Sequence, residues 1–166
     1  HVQEITDRLI DGLLPKGRMD VLRDFAEPMP STVTAEMLGM PVTDFRKLKR
    51  WSEEFAEVLS NIQLSPETVP GVLRAVSEMS DYFREAIRQV GKSTRPGLVE
   101  WLVNAEVDGD RLSEEEVLSS LIITMVGGQE TSTNLVASGL LALFQNPEQF
   151  RRMTEGSVPI ATAVEE

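Results

Sequence analysis

The stretch from Ser113 to Phe144 constrains the fold most, because it reads as one helix whose most polar residues sit in the middle of its most apolar surroundings. Ser113 is placed to cap its start. Glu116, three residues on, can reach back to the cap nitrogen, and Leu112 and Val117 suit the two halves of a hydrophobic staple. Nothing stops the helix before Asn146-Pro147, so it runs for roughly 30 residues, or about 45 Å at 1.5 Å per residue. A rod of that length can cross a whole domain and serve as its spine.

Along this spine Val117, Leu118, Leu121, Ile122, Ile123, Met125 and Val126 are apolar on nearly every side, and the run from Leu135 to Leu143 is apolar again. Between them stand Gly127-Gly128-Gln129-Glu130-Thr131-Ser132-Thr133-Asn134. A transmembrane reading fails: a carboxylate and several amides at mid-span would cost several kcal/mol in lipid, and the apolar runs are too short. Two consecutive glycines each give up about 1 kcal/mol of helix propensity relative to alanine, so something must use their missing side chains. Ile123, Gly127, Glu130 and Thr131 fall at helical spacing on one face. The Thr131 hydroxyl can bond back to the Gly127 carbonyl and loosen that turn. Two readings stand side by side: a face for a flat ligand, or a satisfied polar patch where helices cross.

The remaining sequence narrows the chemistry. With 166 residues, 41% of them hydrophobic, the chain suffices for one domain with a real core. A net charge of −11 argues against nucleic acid or an anionic membrane as partner. There is no cysteine, and the one histidine is His1, so disulfides, a thiolate ligand, a Ser-His-Asp triad and most transition-metal sites are excluded, and no metal ligand is assigned. No signal peptide or lipidation signal is recognisable, which sets a cytoplasmic location as the expectation. The chain starts inside an amphipathic pattern and stops inside an emerging helix, so a fragment of a longer chain is expected.

In chain order, a first helix carries Val2, Ile5, Leu9 and Leu13 on one stripe and ends at Pro15-Lys16-Gly17. A connection with a helical turn from Asp20 follows, then a short helix from Pro28 to Leu38 stopped by Gly39. Asp44 to Leu59 turns Phe45, Leu48, Trp51, Phe55 and Leu59 inward, with Arg46, Lys47, Lys49 and Arg50 read as a solvated basic face. After a loop over 61–70 comes a long helix, Gly71 to Val90, closed by Gly91. A polar linker over 92–97, a short helix from Leu98 and a tight turn at Asp108-Gly109 lead into the spine. Asn146 caps and Pro147 opens one more helix. The expectation is an all-α chain without strands.

The order of these pieces resembles the middle of a soluble, bacterial-type cytochrome P-450, the haem-thiolate monooxygenases. The segments 20–30 and 35–41 are similar to that family's passage into and through its E helix, and 108–113 to its lead-in to the I helix. Gly127-Gly128-Gln129-Glu130-Thr131-Ser132 is similar to the signature that lies over the distal face of the haem. The resemblance implies helices D to J and the start of K, with residues 1–166 forming a single partial domain. The earlier segments, the haem-ligand loop and the last helix of the family would lie outside it.

That resemblance implies roles. Thr131 would hydrogen-bond dioxygen at the haem and favour proton delivery, and Glu130 would link the site to solvent protons. Gly127, Gly128 and Thr131 would face the cofactor, and Ile123 and Val126 would touch a small organic substrate. The cofactor implied is haem, but the axial cysteine is not among these residues, so the chain by itself is expected to hold no thiolate-ligated haem and to be inactive. A ferredoxin or reductase would supply electrons to the complete enzyme. The alternative is a non-enzymatic helical module that forms a homodimer through exposed apolar helix faces.

Overall fold

A computed structural model of the chain describes residues 1–60, 66–92 and 96–165, with nothing assigned to the side chains of 58–60. The inward placement of Leu59, residues 61–65 of the 61–70 loop, residues 93–95 of the polar linker and Glu166 therefore lie outside the described residues. The described chain is helical almost throughout. Its helices are α1 (Val2–Leu13), α2 (Pro28–Leu38), α3 (Phe45–Ser60), α4 (Val69–Arg88), α5 (Leu98–Asn104), α6 (Glu114–Gln145), α7 (Pro147–Thr154) and α8 (Ile160–Glu165). A π-helical turn, Val21–Ala26, joins α1 to α2. Asp20 caps it, its carboxylate accepting the backbone N–H groups of Leu22 and Arg23.

The expected spine is present as α6, and its first turn is built as the residues suggest. The Ser113 side chain accepts the Glu116 backbone N–H, while the Glu116 carboxylate accepts the Ser113 N–H at 2.8 Å. That N–H, followed by the Ser113 hydroxyl, holds the Glu116 carboxyl below its ordinary value. A lowered carboxylate stabilises the fold above its unfolded value of 4.5 and loses that contribution as pH falls through the folded one. Acidification and Ser113→Ala should therefore open the same first turn, seen as faster amide exchange at 114–117. Unequal sets of exchanging amides would refute the capping role.

Helices α2, α3, α4 and α5 pack against α6. Their shared core contains Leu38, Leu48, Trp51, Met79, Phe83, Val117, Leu121, Met125 and Val126. Burying each large apolar side chain contributes about 1.5–3 kcal/mol before entropy is counted, which makes α6 the element the other helices organise around. Helices α3 and α4 are clasped together. The Trp51 Nε1–H donates to Glu78 Oε2 at 2.7 Å, and the Tyr82 hydroxyl donates to Asp44 Oδ2 at 2.6 Å. Burial, then the Asp44 carboxylate, pushes the Tyr82 phenol far up.

Two local expectations need correction. The turn before the spine is a small antiparallel hairpin, β1 (Glu106–Val107) and β2 (Asp110–Arg111), so the chain is not wholly without strands. Asp108 and Gly109 have φ of 54° and 85°, the left-handed pair that a two-residue hairpin turn requires. Asn146 does not cap α7 with its side chain. Its Nδ2 instead donates to the Ala142 carbonyl at 2.8 Å, closing the end of α6.

Candidate functional site

The polar segment of α6 divides by direction, because successive residues turn by about 100°. One part faces α2. A Cβ placed on Gly128 would lie 3.1 Å from the Thr34 hydroxyl, so this glycine serves the close crossing of α2 and α6. Beside it Gln129 is buried, its Oε1 accepting the Ser31 hydroxyl at 3.5 Å, and Thr133 is buried one turn on. Among the described residues, Gln129 Nε2, Thr133 Oγ1 and Ser52 Oγ are buried side-chain atoms without a partner. Val126, expected beside Ile123 as a substrate contact, is buried among the core side chains in this chain.

The other part is open. Ile123 is 57% exposed, Gly127 has nothing within 4 Å of where a Cβ would sit, and Thr131 is exposed. The Thr131 hydroxyl donates to the Gly127 carbonyl at 2.6 Å, yet α6 continues unbroken through this turn. The expected loosening is absent because a carbonyl has two lone pairs and accepts the hydroxyl without giving up its ladder bond. A flat apolar object can therefore approach the backbone here along a stripe continued by Leu135, 67% exposed.

Glu130 stands on the flank of this face and reaches to α3. Lys49 Nζ lies 2.6 Å from Glu130 Oε1 and 3.1 Å from Glu53 Oε1. Burial alone would lower the Lys49 pKa, but hydrogen bonds to Glu130 and Glu53 outweigh it and the ammonium is held above its ordinary value. Lys49 belongs to the run expected to be a solvated basic face, yet its side chain is 11% exposed. Sequence reasoning missed this partner, although Lys49 falls four residues after Phe45 and three before the buried Ser52, on the inward stripe of α3.

The family model for cytochrome P450 matches residues 15–158. The chain belongs to the cytochrome P450 family. It is 32% identical to the biotin biosynthesis cytochrome P450 of Bacillus subtilis (strain 168) over all of this chain and 42% of that protein. It is 34% identical to the cytochrome P450 monooxygenase PikC of Streptomyces venezuelae, over all of this chain and 39% of that one. Among solved structures, P450BioI in complex with a hexadec-9Z-enoic acid ligated acyl carrier protein superposes with a TM-score of 0.90 at 30% identity, covering 99% of this chain and 42% of the other. The myxobacterial CYP267B1 with myristic acid gives 0.87 at 36% identity, covering 99% and 40%. The chain thus spans about two fifths of the length of these P450 relatives.

Membership implies a haem-iron cofactor, and the donor set tests how these residues fit one. The open Gly127, the exposed Thr131 hydroxyl and the apolar Ile123 suit one face of a flat macrocycle. They offer no iron ligand, since the chain has no cysteine and no described group of three or more His, Cys, Asp or Glu side chains could hold a metal.

Proposed function

We propose that this chain forms the oxygen-facing part of a haem-dependent monooxygenase, one partial domain of an enzyme that inserts one atom of dioxygen into a small organic substrate. The observation that carries this reading is an open glycine, Gly127, flanked by an exposed hydroxyl at Thr131, with a carboxylate-ammonium pair at Glu130 and Lys49 beside it. The haem, when bound, supplies the redox chemistry. This chain's residues admit it, exclude water and move protons. Gly127 lets the ring approach the backbone, and Ile123 offers it and the substrate an apolar wall. Val126 and Gly128 support that wall from within, behind the open face.

Thr131 Oγ1 is the proton-handling atom at the open face, oriented by its bond to the Gly127 carbonyl. Glu130, its neighbour in sequence, is turned toward α3 by Lys49. Rotation of that carboxylate away from the ammonium carries its proton-accepting oxygens toward Thr131. Helices α3 and α4 roof the substrate side, and a ferredoxin or reductase delivers electrons. Among the described residues no helix is long and apolar enough to cross a membrane, and a cytoplasmic location belongs to this proposal. Leu141 and Phe144, exposed on one side of the end of α6, offer the surface on which the segment by itself would pair with a second copy.

In the full-length, haem-loaded protein, Thr131→Ala should lower product formed per dioxygen consumed by about 10²-fold, the low end for losing a positioned proton-transfer group, with hydrogen peroxide released instead. The check is simultaneous measurement of oxygen uptake, product and peroxide. Unchanged coupling would remove Thr131 from the mechanism.

A further inference from the structure

The groove between α1, the π-helical turn and the start of α3 is strongly basic on an otherwise acidic molecule. It encloses about 670 Å³ and is lined by Arg8, Lys16, Arg23, Arg46, Lys49 and Arg50, six of the chain's 16 Lys and Arg, against a net charge of −11. Three carboxylates share the lining, and two are engaged. Asp24 accepts the Asp20 N–H at 2.8 Å, and Glu53 is paired with Lys49 at 3.1 Å. Glu27 is the third. Arg8, Lys16 and Arg46 make no hydrogen bond or ion pair with a described residue; Arg46 only lies 5.6 Å from the centre of the Phe45 ring. Three unpaired cations from separate parts of the chain facing one cleft repel each other and concentrate anions between them.

Two residues of the groove lining connect it to the polar segment of α6. They are Lys49 and Ser31, which bond Glu130 and Gln129. We propose that the groove binds a phosphate-type oxyanion of a small molecule, and that the bound anion competes with Glu130 for Lys49. Guanidinium groups fork onto such oxygens in pairs, and a lysine ammonium adds a point charge. A ligand that draws Lys49 toward the groove frees the Glu130 carboxylate on the far side. By linkage, whatever frees Glu130 must tighten the anion equally. The binding half of this proposal stands on the groove alone; its consequence for proton handling rests on the function proposed above.

The test is calorimetric titration of inorganic pyrophosphate into the full-length, haem-loaded protein, with ionic strength held constant by sodium chloride. Saturable binding at one site is expected, weakened at least tenfold in Arg8→Gln/Lys16→Gln/Arg46→Gln. A control with the same charge removed elsewhere, Arg74→Gln/Lys92→Gln/Arg152→Gln, should bind as the parent does. Glu130→Gln should tighten pyrophosphate several-fold by taking away the competitor for Lys49. Absence of saturation, or equal weakening in the control, overturns the site, and unchanged affinity in Glu130→Gln overturns the competition. None of these readouts involves turnover, so they fail separately from the Thr131→Ala coupling measurement.

Discussion

Gly97→Ala is expected to destabilise the fold by about 1–3 kcal/mol, the cost of forcing an extra methyl into filled space, read as a lower urea midpoint at unchanged slope. A Cβ at Gly97 would overlap the backbone nitrogen and Cα of Gly39 and the carbonyl carbon of Leu38. Backbone cannot swing aside as a side chain does, so the start of α5 would have to lift from the end of α2. Conformational strain plays no part, because Gly97 is extended, with φ −156° and ψ −176°, which alanine adopts freely. The same exchange at Gly127 should have the opposite sign. Nothing stands within 4 Å of its Cβ position, and alanine in a helix interior gains up to about 1 kcal/mol over glycine. A loss of stability there would show that Gly127 is packed rather than open.

Lys49→Met is the second large effect. Removing the ammonium leaves Glu130 and Glu53 without their shared partner in a half-buried place, at a cost of about 1–3 kcal/mol for polar groups left unpaired. The pH dependence identifies the cause. A lysine whose folded pKa is raised contributes its full stabilisation below the unfolded value, 10.5, and loses it as pH rises through the folded one. The parent should therefore lose stability above about pH 10.5 relative to Lys49→Met, and the gap between them should close as pH rises further. Denaturant midpoints across that range provide the check. Curves running parallel through the range would mean that Lys49 acts by packing its carbon stem and not by charge.

Much of this was legible because it is local. Ser113 and Glu116 are three residues apart, and the Gly39 stop, with φ of 81°, and Pro147 at the head of α7 act on their own turns of chain. The hairpin escaped notice because four paired residues carry no periodicity, and only Asp108-Gly109 signalled it. Lys49 was misread because its charge suggested water, while the group that neutralises it lies 81 residues away on α6. The two glycines of the polar segment looked equivalent in sequence. Only the crossing helix distinguishes them, by placing Thr34 against Gly128 and leaving Gly127 open.

By itself the sequence determined the helical class, the length and cap of α6, and the family, since each follows from patterns read along the chain: spacing, turn chemistry and ordered motifs. The tertiary structure alone decided which side of α6 is packed and which is open, that Val126 is buried in the core and Gly128 lies against α2, and that Glu130 is held by Lys49. Those outcomes depend on which helices meet. A helix presents every residue to some direction, and only its neighbours settle whether that direction holds protein or space.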